Sequence, residues 1–142
     1  MKREIRFRAW STEFASMSNP FSFDKIRNDV SDTGHSMPYV LIKVVGKITL
    51  RSAYLDQCEV MQFTGLKDRN GVDIFEGDIL IHPDADDPEK AGWAIDFFNY
   101  QWIAQLQDTQ RHDVISVANH AEYFTKCQVI GNIYENPELI KF

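Results

Sequence analysis

Between residues 61 and 80 the chain reads Met-Gln-Phe-Thr-Gly-Leu-Lys-Asp-Arg-Asn-Gly-Val-Asp-Ile-Phe-Glu-Gly-Asp-Ile-Leu. Apolar, β-prone runs are punctuated here by glycines at 65, 71 and 77. Asp68-Arg69-Asn70-Gly71 puts an aspartate at the first position of a turn and a glycine where a positive φ is required, because glycine has no Cβ to clash there. Phe75-Glu76-Gly77-Asp78 repeats the pattern, and Ile79-Leu80-Ile81 follows as a strand. The segment therefore reads as two short strands joined by a turn, then a second tight turn that launches a third strand. Gly65, Asp68, Gly71, Gly77 and Asp78 form its structural turn signature.

The rest of the chain extends the same theme. Ile5, Phe7 and Ala9 alternate with Arg6, Arg8 and Trp10, the period of a half-buried strand. Residues 16–37 are rich in Ser, Asn, Asp and Gly and read as an irregular, mobile connection, with room for a short helix at 22–30. Residues 39–50 are β-branched and apolar, one strand with a bulge or two joined by a bend at Gly46. Aromatic-rich runs at 93–98 and 100–106, a short run at 114–117 and a last one at 126–134 read as further strands, with one helical turn within 118–124. Eight or so short strands point to an all-β protein. The expected division is an N-terminal β region at 1–60 and a C-terminal small β-barrel at 61–142. Strands at 79–81, 93–98, 101–106, 114–117 and 128–133 would make the five of such a barrel.

Charge separates the same regions. Residues 1–57 carry nine Lys/Arg against six Asp/Glu, whereas 58–142 carry six against fifteen. An acidic second region argues against that half tracking a phosphate backbone, which takes clustered Lys/Arg to neutralise. The charged start Met1-Lys2-Arg3-Glu4 is not followed by an apolar run of signal-peptide length, and no stretch has the length of a membrane helix. Cys58 and Cys127 fit free thiols in a reducing cytoplasm. A cytoplasmic protein with no membrane partner is expected.

Three segments carry a family resemblance: Phe7-Arg8-Ala9-Trp10 at the start, 64–79 in the centre, and Val129-Ile130-Gly131-Asn132-Ile133-Tyr134-Glu135-Asn136-Pro137 at the end. Together they resemble the YopX family of phage and prophage proteins, which often has Tyr where Phe63 and Phe75 stand here. The resemblance implies an all-β subunit encoded by a phage or prophage. It also implies an N-terminal region that supports oligomerisation and a C-terminal barrel of SH3-like type. It carries over no established activity.

No constellation in the sequence argues for chemistry. His35, His82, His112 and His120 are scattered, and no paired metal-ligand spacing occurs, so neither metal nor cofactor is expected. Asp84-Ala85-Asp86-Asp87 lacks the glycine and terminal glutamate of a calcium loop and reads as a solvated acidic loop. Cys127 beside Lys126 is either a thiol activated by the ammonium or inert packing, the simpler reading. Asp68, Asp73, Glu76 and Asp78 could do acid–base work, but turn formation accounts for them more simply.

Two binding readings remain. Five aromatics at 93–102 cannot all face one interior if the strand period holds, and the surplus points to self-association. A non-enzymatic accessory protein that forms a homo-oligomer and binds a phage or host macromolecule is the first reading. The second is a nucleic-acid-binding protein that uses Arg3, Arg6, Arg8 and Trp10 as a basic and aromatic strip. Against it stands the plainer role of edge arginines in discouraging unwanted strand pairing.

Overall fold

The computed structural model describes residues 4–83, 92–107 and 113–140. Among them, strands dominate and a single α-helix, α1 (Ala121–Thr125), spans five residues, so the all-β expectation holds. No helix of the described residues is long and apolar enough to cross a membrane. The chain divides into two units, Met1–Gln62 and Phe63–Phe142.

In the first unit β1 (Phe7–Ser11) pairs antiparallel with β2 (Ser16–Met17) on one side and with residues 58–62 of β6 (Cys58–Lys67) on the other. The tight β1–β2 connection places Ala15 at φ +45°. Buried serines supply the missing backbone partners there: Ser18 Oγ accepts from Ala9 N at 2.8 Å, and Ser11 Oγ from Phe14 N at 3.1 Å. Such side-chain capping stands in for ladder bonds that so short a hairpin cannot make.

Residues 16–37 depart from the irregular connection read in the sequence. They hold β2, a 3-10 turn at Phe23–Lys25 in place of the expected helix, and β3 (Arg27–Val30). β3 forms a hairpin with β4 (Ser36–Lys43), which pairs in turn with β5 (Leu50–Tyr54). Every residue of β3 is exposed, so the apolar alternation that betrays a strand is absent from it. Pro38 lies inside β4, beyond the last pair with β5 at Tyr39↔Tyr54, where β4 has one neighbour only and a missing N–H is tolerated. Gly46, at φ +79°, sits in the β4–β5 loop and makes the 39–50 run two strands. Val40, Ile42 and Ala53 project to a core with Ala9 and Phe21, flanked by Phe7, Phe14, Ile26 and Leu55.

In the second unit residues 63–67 of β6 pair with β7 (Asp73–Phe75). A five-stranded antiparallel sheet follows: β8 (Asp78–Ile81), β9 (Trp93–Phe98), β10 (Gln101–Leu106), β11 (Val114–Ser116) and β12 (Gln128–Asn132). Its order is β11-β10-β9-β8-β12, and it curls into a half-barrel. Ile74, Leu80, Ile95, Ala104, Val117, Phe124 and Cys127 form its core, with Trp93, Trp102 and Tyr123 packed against them. Burying each large side chain contributes about 1.5–3 kcal/mol. Phe124, fully buried on α1, meets Trp93 edge to face at 6.2 Å.

Candidate functional site

The acidic residues of the central segment have partners that fold the chain. Asp68 is buried, and its Oδ1 accepts from Asn70 N at 2.8 Å and Val72 N at 2.9 Å. Its Oδ2 accepts from Val129 N at 2.9 Å, at the start of β12. Arg69 N donates to Cys127 O at 3.0 Å, so the turn is clasped to the same strand by its backbone as well. Burial by itself would raise the Asp68 carboxyl. The N–H groups of Val129, Val72 and Asn70, helped by Arg69, outweigh it and hold the group below its ordinary value. Asp78, also buried, accepts from Phe75 N at 2.8 Å across the second turn. Asp73 pairs with Lys67 at 2.7 Å, directly opposite it in the β6–β7 register.

The signature glycines take the positive φ that these turns demand: +88° at Gly65, +79° at Gly71 and +86° at Gly77. Gly65 lies within β6, where Phe63↔Phe75 and Lys67↔Asp73 leave two more residues on β6 than on β7. Thr64 holds that bulge, its Oγ1 donating to Ile74 O at 2.7 Å and accepting from Leu66 N at 3.1 Å. The closing segment is a turn of the same kind. Asn132 Oδ1 accepts from Tyr134 N and Glu135 N, at 3.0 and 2.8 Å, and Asn136 Oδ1 accepts from Asn132 N at 3.1 Å. A Cβ on Gly131 would stand 2.7 Å from Asn136 Cγ and 3.0 Å from Leu139 Cδ1. The signature residues thus spend their polar atoms on backbone geometry.

The basic strip is only partly available. Ala9 is fully buried and Phe7 packs on the same core, which places Arg8 and Trp10 together on the opposite face of β1. Both are half-buried, and Arg8 stands opposite the buried Met61. Arg6 pairs with Glu4 at 2.8 Å, and none of Arg6, Arg8 and Trp10 lacks a partner within the molecule. Arg3, His112 and the Asp84-Ala85-Asp86-Asp87 cluster lie outside the described residues.

The aromatic run splits between two environments. Trp93 and Trp102 join the core, whereas Phe97, Phe98 and Tyr100 are 47%, 67% and 94% exposed at the β9–β10 tip. Asn99 and Tyr100 form its two-residue turn, at φ +53° and +65°. The first unit also exposes apolar side chains, at the end of the β4–β5 hairpin: Val45 at 77%, Ile48 at 98% and Leu50 at 58%. Sequence reading took all three for strand positions, which holds for Leu50 at the start of β5 but not for Val45 and Ile48. The place of Val45 and Ile48 beside Gly46, in the β4–β5 loop, was the available signal.

Both cysteines are free thiols. Burial pushes Cys127 up to about 12, against a small opposing pull from Arg69, and its Sγ donates to Tyr123 O at 3.4 Å. Lys126 pairs instead with Glu122 at 3.5 Å. Inert packing is therefore the reading that fits Cys127. Burial and then the charges of Asp56, Glu13 and Glu59 raise Cys58 as well. Among the described residues no three His, Cys, Asp or Glu side chains gather as metal ligands would.

Comparison with known proteins matches this architecture. The family model described as YopX protein matches residues 6–141. The crystal structure of protein EF1440 from Enterococcus faecalis is similar at a TM-score of 0.58 and 24% identity, covering 99% of this chain and 100% of that one. The crystal structure of protein yopX from Bacillus subtilis is similar at a TM-score of 0.53 and 20% identity, with 96% and 98% covered. At these identities the two structures speak for the fold alone. No curated protein matches the sequence.

Proposed function

The chain belongs to the YopX family, and from that premise we propose that it is a phage- or prophage-encoded accessory protein without enzymatic activity. In this reading it acts in the bacterial cytoplasm, self-associates through its first unit and binds a macromolecule through its second, a small barrel of SH3-like type. The observation that carries the reading is the outward apolar end of the β4–β5 hairpin, Val45, Ile48 and Leu50. Exposed apolar side chains at one hairpin end are costly to leave in water and mark a surface that another chain covers. The aromatic tip at Phe97, Phe98 and Tyr100 is the matching surface of the second unit, on a region too acidic to follow phosphates. The turn carboxylates support the absence of catalysis, since those with described contacts act on backbone or on Lys67.

Light scattering coupled to size-exclusion chromatography tests the assembly. A multimer is expected at tens of micromolar, and Ile48→Asp with Leu50→Asp should reduce it to a monomer that keeps its circular dichroism. A strict monomer from the unaltered chain would overturn the reading. Nucleic-acid binding through Arg3, Arg6, Arg8 and Trp10 is the alternative, and the partners that Arg6, Arg8 and Trp10 already have weigh against it. It calls for salt-dependent oligonucleotide binding that falls on joint Arg6→Ala and Arg8→Ala.

A further inference from the structure

The first unit contains a pocket that the self-association reading does not use. It has a volume of about 500 Å³ and is lined by Asn19, Pro20, Phe21, Asp24, Lys25, Arg27, Val40 and Leu41. That volume is in the range of small-molecule sites, roughly 300–1,000 Å³. The lining is divided by chemistry. Phe21 and Val40 are core residues, 7% and 4% exposed, and form a fixed apolar floor. Pro20 extends the apolar surface outward, Leu41 borders the pocket from the opposite face of β4, and Asn19, Asp24, Lys25 and Arg27 supply the polar part.

Charge sets the ligand class. The Ser22 hydroxyl donates to Asp24 Oδ1, and Lys25 stands by it, so this carboxylate stays ionised and already has company. Two cations against one anion leave a single positive charge in the lining. Arg27, on the fully exposed edge strand β3, has no ion pair or hydrogen-bond partner for its side chain among the described residues. A planar guanidinium beside an apolar floor suits a carboxylate or phosphate group carried on a hydrocarbon body. We infer that this pocket binds a small amphipathic anion, its acidic group on Arg27 and its apolar part on Phe21, Val40 and Pro20.

Three probes with one aromatic body test this on the full chain: benzoate, phenyl phosphate and the neutral benzamide, titrated while backbone amide resonances are followed by NMR. Saturable shifts clustered on residues 19–27 and 40–41 are expected for at least one of the two anions, with benzamide about tenfold weaker or silent. Which anion binds better decides between a carboxylate and a phosphate ligand. Arg27→Gln should weaken anion binding about tenfold without altering the fold, because its side chain is exposed. Ile48→Asp with Leu50→Asp should leave binding intact, which separates this site from assembly. Scattered or absent shifts at millimolar concentrations would overturn the inference. Equal binding of benzamide, or no effect of Arg27→Gln, would do the same.

Discussion

Asp68 shows how much one side chain can decide. Its carboxylate takes three backbone N–H groups, two from its own turn and one from a strand far along the chain. In Asp68→Asn the amide oxygen can serve the turn, but the NH2 group then faces Val129 N–H, donor against donor. A buried donor left without an acceptor costs about 2 kcal/mol, and urea denaturation at neutral pH should register a loss of that order. The pH dependence follows from the lowered carboxyl. A group whose folded value lies below its unfolded one contributes stability above the ordinary carboxylate value of 3.8. That contribution is lost as pH falls through the folded value. Stability of the unaltered chain should therefore fall between pH 5 and the acid limit more steeply than that of Asp68→Asn; parallel curves would refute the assignment.

At the scale of elements, the β9–β10 hairpin carries an unusual cost. Two-residue hairpin turns of this twist favour Asn-Gly, yet Tyr100 holds the second position at φ +65° with its ring in solvent. An L-residue in that conformation costs about 1 kcal/mol. Tyr100→Gly should accordingly raise the thermal midpoint by a few degrees. The closing turn behaves oppositely: Gly131→Ala would push Asn136 off Asn132 N and cost about 2 kcal/mol, measurable by thermal denaturation.

Strands of the second unit were legible in the sequence, because aromatic and β-branched runs there alternate with turn residues. β3 was not, since Arg-Asn-Asp-Val exposes every side chain and an edge strand needs no apolar face. The turn aspartates stood out by type and position, but Val129 as a partner of Asp68 could not be read from local spacing. The small-molecule pocket was hidden for the same reason: its residues come from two stretches that only the β3–β4 hairpin brings together.

For the whole molecule, each of the two units has exposed features of its own. The first pairs an apolar hairpin end with a pocket of mixed chemistry, and the second holds its aromatic tip on a curled sheet anchored by two buried aspartates. The sheet of the second unit depends on its last strand, because β12 is the neighbour of β8 and the source of the Val129 contact. A chain ending at residue 126 should keep strand content in the far ultraviolet yet lose near-ultraviolet dichroism and bind anilinonaphthalene sulfonate. Native-like near-ultraviolet dichroism in that shortened chain would contradict the dependence.

The clasp between Asp68 and Val129 spans 61 residues, and this has a consequence for synthesis. As the polypeptide leaves the ribosome, the turn at 68–72 emerges well before the strand it must grip, so the second half completes only when its final segment is free. Until then β8 offers an unmatched border to any passing strand, and nascent copies translated side by side would be most prone to mistaken pairing in that interval.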